Sequence, residues 1–365
     1  MKIASWRGQK YTIPLARPFS YFNTTLESLP YLLITITTDS GFIGLGDAPL
    51  AWDINGETQE GALACLHILQ PILIGKKIET IEDAVEIMSS INGILYGNTG
   101  LKCGIESALL DCVGYYQKTP IWTLVGGIPK KSVMLQKTFS YEEISADIQS
   151  CANSAYENGV RIFKFKVGNN AHAEYTAIKI LRQRYSDATI TIDANQAWKT
   201  VSDARVFLSS INDQDIGWIE QPLHAHNYEG LAALRRECRI PIMADESCHT
   251  LSNIYLLHAM SAVDIINMKL GKCGGLFELK KMIAFCNQNG IRYALGDMIH
   301  SSLGTAYNLH AATLDNFMTY DLTLPDRIGH DCGEGLAFDG WRAFIPQNSG
   351  LGVTYSHSSS CPYGA

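Results

Sequence analysis

Five ionisable residues, Lys166, Asp193, Glu220, Asp245 and Lys269, follow one another at gaps of 27, 27, 25 and 24 residues. Each closes a short apolar run: IFKFK at 162–166, TITID at 189–193, IGWIE at 216–220, PIMAD at 241–245 and DIINMK at 264–269. Three carboxylates with no Cys or His beside them suit a hard divalent ion that keeps positions open for water or substrate, and Mg²⁺ fits best. Lysines on two sides of such an ion could reach both faces of a bound carbon acid and move its proton. Asp also favours helix N-caps. Capping would explain one or two of the three acids, but not Glu220 followed by Gln-Pro.

Strand side chains alternate between faces, so Lys164 and Lys166 point one way and Phe163, Phe165 and Val167 the other. The phenylalanines suit a covering layer of helices, which leaves both lysines inside. Two neighbouring cations that lose hydration should have lowered pKa values and act as bases near neutral pH. A surface lysine pair on an edge strand is the plain alternative, and the flanking aromatics weigh against it. Lys269, taken alone, could equally form a Schiff base or a salt bridge.

An interval near 25 residues is one strand, one helix and two short loops. VMLQKTF at 133–139 reads as a first strand, the five runs above as the next five, and IRYALGD at 291–297 with FMTYD at 317–321 as the last two. Eight such units predict an α/β fold, a closed (β/α)8 barrel with its chemistry at the carboxyl ends of the strands. Residues 1–125 break the rhythm. YLLITITT at 31–38, the turn DSG at 39–41 and FIGLGDAP at 42–49 predict a β-meander. Three helical stretches follow up to residue 117, giving an α+β capping domain. The expected barrel then spans 126–325, and the segment 326–365 is expected to pack back on the capping domain.

With 46% hydrophobic and 18% charged residues the chain has ordinary globular composition. A net charge of −7 without basic blocks argues against nucleic acid or anionic membrane as a partner. MKIASWRGQKYTI lacks a signal-peptide core and no apolar run reaches spanning length. Ten cysteines without a CxxC pair read as reduced thiols, so the expected location is cytoplasmic. His224 and His226 form an HxH in a loop after Pro222, more often solvated than ligating. GLGDAP at 44–49 lacks the third glycine of a dinucleotide loop.

KFK at 164–166, DAN at 193–195, EQP at 220–222, DES at 245–247 and the lysine of MKLGKCGG together resemble the enolase superfamily, in its muconate-lactonizing-enzyme subgroup. The likeness covers nearly the whole chain. It implies a modified, enolase-like TIM barrel with Asp193, Glu220 and Asp245 as Mg²⁺ ligands. Lys166 and Lys269 become the acid/base pair, and Lys164 helps to hold enolate charge. A small-molecule substrate is implied, and assembly as a homo-oligomer.

The subgroup supports muconate cycloisomerisation, dehydration to o-succinylbenzoate, N-succinylamino acid racemisation and dipeptide epimerisation on one site. Dipeptide epimerases carry an Asp-x-Asp on the last strand that captures the substrate ammonium group. Here Asp321 is kept and Thr323 replaces the second aspartate. Thr138, Asp297 and Met298 fall where those enzymes line the pocket. The resemblance therefore implies epimerisation of the C-terminal residue of L-Ala-L-Xaa, such as L-Ala-L-Glu. Acid-specific members place an arginine in the capping-domain loop, whereas residues 18–30 contain none, and His300 stands where relatives often have an acid.

Overall fold

The computed structural model describes residues 1–21, 24–145, 147–324, 327–328, 331 and 333–355. β1 (Ile3–Tyr21), β2 (Thr24–Thr38) and β3 (Ile43–Pro49) form an antiparallel meander. The DSG turn closes with Thr38 N–H donating to Phe42 O at 2.9 Å and Gly41 at φ +82°. α1 (Gln59–Leu73), α2 (Ile81–Ile94) and α3 (Thr99–Gln117) follow. Thr80 and Asp83 form a reciprocal capping box that starts α2.

Every residue of α3 from Gly100 to Gly114 is buried, as expected of a helix covered on all sides. Its close approach to β3 needs glycine. A Cβ on Gly46 would sit 1.9 Å from Gly104 O.

The barrel strands are β5 (Lys137–Phe139), β6 (Ile162–Lys166), β7 (Thr189–Asp193), β8 (Ile216–Glu220), β9 (Ile242–Ala244), β10 (Ile265–Met268), β11 (Arg292–Gly296) and β12 (Tyr320–Asp321). They form one eight-stranded parallel sheet in chain order. Gln136 N–H donates to Tyr320 O at 3.0 Å and Thr319 Oγ1 to Gln136 Oε1 at 2.8 Å, so the two edges meet.

VMLQKTF is not one strand. β4 (Ser132–Met134) pairs antiparallel with Arg342–Phe344, and only Lys137–Phe139 enters the barrel. Leu135 N–H donates to Trp341 O while Gln136 N–H donates to Tyr320 O, so the chain changes sheets between adjacent residues. FMTYD likewise shortens to Tyr320–Asp321. The C-terminal segment touches both halves. Beside its pairing with β4, Leu351 N–H donates to Asp111 Oδ1 at 2.7 Å and Gly350 N–H to Thr119 O at 3.0 Å. Residues 356–365 lie outside the described ones.

Strand alternation fills the barrel in layers. Trp218, Met243, Ile265 and Ala294 make a small inner cluster. One step outward along the same faces come Glu220, Asp245, Asn267 and Gly296. Phe163 and Phe165 point outward, where Phe163 meets Tyr185 at 5.6 Å between ring centres.

Candidate active site

Parallel pairing sets Lys164 beside Thr138 and Thr191, and Lys166 beside Asp193. Asp193 in turn pairs with Glu220, and Gly296 with Asp321. These register positions bring Lys164, Lys166, Asp245, Lys269, Asp297 and Asp321 to one cleft. Thr138, Met298 and Thr323 line the same cleft. The capping domain supplies its apolar wall, including Phe19, Leu26, Leu29, Trp52 and Ile54.

The charged groups interlock. Lys164 Nζ lies 2.6 Å from Asp321 Oδ2, 3.0 Å from Glu220 Oε2 and 3.3 Å from Asp193 Oδ2. Lys166 Nζ donates to Asp193 Oδ2 at 2.7 Å and Asn195 Oδ1 at 2.6 Å. Lys269 Nζ reaches Asp245 Oδ2 at 2.7 Å, and Lys272 binds the other oxygen of Asp245. Asn267 Nδ2 donates to Glu220 Oε1 at 2.7 Å. Asp193, Glu220 and Asp245 are all nearly inaccessible to water.

Lowered lysine pKa values were the expectation from mutual repulsion. Burial does pull the Lys164 ammonium down, but Asp321, Glu220 and Asp193 raise it well above the ordinary lysine value. Burial likewise opposes Lys269, and the charges of Asp245 and Glu220 outweigh it and raise its pKa. Carboxylates outnumber the cations here, which reverses the balance. Glu220 is pushed up to about 7 by burial and then by the charge of Asp193. Glu246 rises to about 8 by burial and the charge of Asp245.

Thr323 donates to Asp297 Oδ2 through both its hydroxyl, at 2.6 Å, and its N–H. Asp297 Oδ1 accepts from Ile299 N–H at 3.1 Å. Ile299 adopts φ +59°, a strained setting for a β-branched residue, and the capping-domain Tyr31 hydroxyl donates to its carbonyl. Thr138 Oγ1 donates to Asp321 Oδ1 at 3.0 Å. His300 is buried beneath this wall, its Nδ1 3.6 Å from Asp47 Oδ2. His224 and His226 contact each other away from the cleft lining.

Two family descriptions match most of the chain. "Mandelate racemase / muconate lactonizing enzyme, N-terminal domain" matches residues 9–126, and "Enolase C-terminal domain-like" matches residues 147–359. The chain belongs to the enolase superfamily, in its muconate-lactonizing-enzyme subgroup.

This isomerase is 29% identical to an N-succinyl-L-Arg/Lys racemase of Bacillus cereus, over 97% of its own chain and 95% of the relative. It is 30% identical to an L-Ala-D/L-Glu epimerase of Bacillus subtilis, over 97% of each chain. A solved dipeptide epimerase from Enterococcus faecalis, complexed with Mg and the dipeptide L-Leu-L-Tyr, superposes with a TM-score of 0.89 at 27% identity. That match covers 97% of this chain and 100% of the other.

At the ends of three consecutive strands, Asp193, Glu220 and Asp245 could converge within a few ångströms. Among the described residues no three Asp, Glu, His or Cys side chains form a ready metal cage. Lysine ammonium groups stand between the carboxylates, because opposite charges at about 3 Å separate like ones. The donor set still fits a hard divalent cation. It offers three buried carboxylates, no soft ligand, and mutual repulsion that raises Glu220.

Sequence reading passed over several residues that line or brace this site. Asn267 lies two positions before Lys269 on the same strand face, so strand periodicity could have found it. Gln221 holds the loop of Asp245, its Oε1 accepting from Asp245 N–H and Ser247 N–H at 3.0 Å each. Lys272 sits on a short helix, Leu270–Cys273, and Arg327 beyond the last strand, where period-two alternation carries no signal.

Proposed function

We propose that the enzyme is a Mg²⁺-dependent dipeptide epimerase that inverts the α-carbon of the C-terminal residue of L-Ala-L-Xaa by proton transfer between two lysines. One observation carries this reading. Lys166 ends β6 and Lys269 follows β10, four strands apart in a ring of eight, so the two amines face each other across the cleft. Inversion needs one group on each face of the carbon, and this spacing supports that assignment.

Lys166 would take or return the α-proton on one face and Lys269 on the other. Lys164 would place a buried cation where negative charge develops on the substrate carboxylate. Asp193, Glu220 and Asp245 would hold the Mg²⁺ ion. When bound, that ion supplies positive charge to the developing enolate and offsets the carboxylate field around the lysines. Asp321, kept ionised despite burial by the Lys164 charge, supports capture of the ammonium group of a free dipeptide.

A second reading, racemisation of N-succinylamino acids, draws on Thr323. The residue in place of the second aspartate is turned onto Asp297 and leaves Asp321 as the only acid of that pair.

Mass spectrometry in D₂O with Mg²⁺ and pooled L-Ala-L-Xaa dipeptides tests the first reading. Deuterium gain at the α-carbon with inversion, both lost with EDTA, is the expected result; Lys166→Ala and Lys269→Ala should each abolish inversion, and one of the two should also abolish exchange into the L-substrate. Gain only in N-succinylamino acids would replace the dipeptide reading with the second one. Exchange in neither pool would remove both.

A further inference from the structure

Arg327 enters the cleft from beyond β12, on the seam where β12 meets β5. Its Nη2 donates to Thr138 O at 3.0 Å, and its guanidinium carbon lies 5.1 Å from the centre of the Phe19 ring. Thr138 thus links opposite charges, with its carbonyl on Arg327 and its hydroxyl on Asp321. Among the described residues Arg327 forms no ion pair. Glu143, a nearby acid, is engaged by Lys137 at 2.6 Å. Asp297 has both oxygens bonded by Thr323 and Ile299.

A guanidinium fixed by one backbone acceptor and one aromatic face is preorganised, with donors left for a planar anion. The capping-domain wall facing it is mostly apolar, with Asp53 its one acid among the lining residues, so a carboxylate arriving there would lose water and depend on that cation. The segment 18–30, which lacks an arginine, thus has one beside it from beyond β12, since Phe19 belongs to that segment.

We propose that Arg327 binds a carboxylate carried by the acyl half of the substrate, the half remote from the inverted carbon. The inference rests on the dipeptide-epimerase chemistry proposed above and replaces its N-terminal alanine with an acidic residue. With Asp321 taking the ammonium group and Arg327 the carboxylate, the substrate class is a dipeptide whose N-terminal residue is acidic. The apolar capping wall of Leu26, Leu29, Trp52 and Ile54 then faces an apolar C-terminal residue.

The experiment compares α-deuterium exchange in L-Glu-L-Leu and its neutral isostere L-Gln-L-Leu, for the full-length enzyme with Mg²⁺, its Arg327→Met variant and Arg327→Lys. The parent should favour the Glu substrate in kcat/KM by about 10- to 100-fold, the range of one buried charge-assisted contact. Arg327→Met should bring that ratio near unity mainly through KM, and Arg327→Lys should restore part of it. A purely structural role for Arg327 would depress both substrates alike and overturn the proposal. A parent ratio near one, with both dipeptides exchanging, would overturn it and leave the epimerase reading standing. Exchange confined to N-succinyl-L-leucine and weakened by Arg327→Met would overturn the dipeptide reading while supporting Arg327 as the carboxylate anchor. Silence in all three compounds would remove the epimerase reading and this proposal together.

Discussion

The Lys164 ammonium stands 2.6 Å from Asp321 Oδ2, an ion pair between the second and eighth strands of the barrel. The same nitrogen serves Glu220 and Asp193, so one cation neutralises three strand ends at once. Replacing it with the nearly isosteric methionine leaves buried carboxylates facing each other. Lys164→Met should cost about 3–5 kcal/mol in urea denaturation, the range for a broken buried pair. Adding Asp321→Asn should recover part of that loss, since the two residues share one interaction. Equal stability of parent and single variant would show that the ammonium holds nothing together.

Thr323 is more than a missing acid. Its hydroxyl and N–H both serve Asp297, so Thr323→Asp sets two carboxylates within hydrogen-bond reach. The variant should lose about 1–3 kcal/mol of stability and gain no affinity for an amine-bearing dipeptide. Pairing it with Asp297→Asn should restore the stability and allow the gain. A lower KM for L-Ala-L-Xaa from the single variant would contradict this account.

Gly296 gives the Lys269 side chain its room. A Cβ there would lie 2.6 Å from Asn267 Oδ1 and 3.1 Å from Lys269 Cε. Gly296→Ala should displace the amine and lower kcat by about 100-fold, as a misplacement near 1 Å does, with modest change in melting temperature. Unchanged kcat would mean that Lys269 does not need its observed position.

Asp111 gives the stability a pH dependence far from the cleft. Burial pushes its carboxyl up to about 7 against the N–H groups of Leu351 and Leu45. Between an ordinary carboxyl pKa and 7 the folded chain keeps a proton that the unfolded chain releases. Stability therefore falls as pH rises through that window, by about 1 kcal/mol per pH unit for one group. Asp111→Asn should remove that part of the slope. His310, pulled down to about 4 by burial, acts with the opposite sign between about 4 and 6.5. Urea denaturation of parent and variant across pH 4.5–7 should show the difference, and parallel curves would refute it.

The barrel was legible because its strands carry period-two runs at a steady interval and end in charge. Lys166, Asp193, Glu220, Asp245 and Lys269 therefore emerge as one set before any coordinates are seen. The first strand was misjudged because VMLQKTF is apolar enough to satisfy two sheets, and only the distant Trp341 and Tyr320 decide where it divides. The lysine electrostatics were misjudged for a related reason. Lys164 lies two residues from Lys166, but the acids that raise the Lys164 pKa against burial come from β7, β8 and β12. Arg327 stayed hidden because its place depends on a tail that follows no repeat.

Thr138 and Asp321 are 183 residues apart, yet their hydrogen bond joins the barrel seam at the floor of the cleft. During synthesis the N-terminal parts leave the ribosome first. The capping sheet and most strands can then form while Lys164 still lacks the acid from β12. The cleft is thus complete only when residues near 321 have joined the ring. Truncated or stalled chains would carry four of the five strand-end charges, or all five, and still lack the seam that completes the pocket. A chain that stops short of β12 therefore lacks both Asp321 and the hydrogen bond that joins the seam.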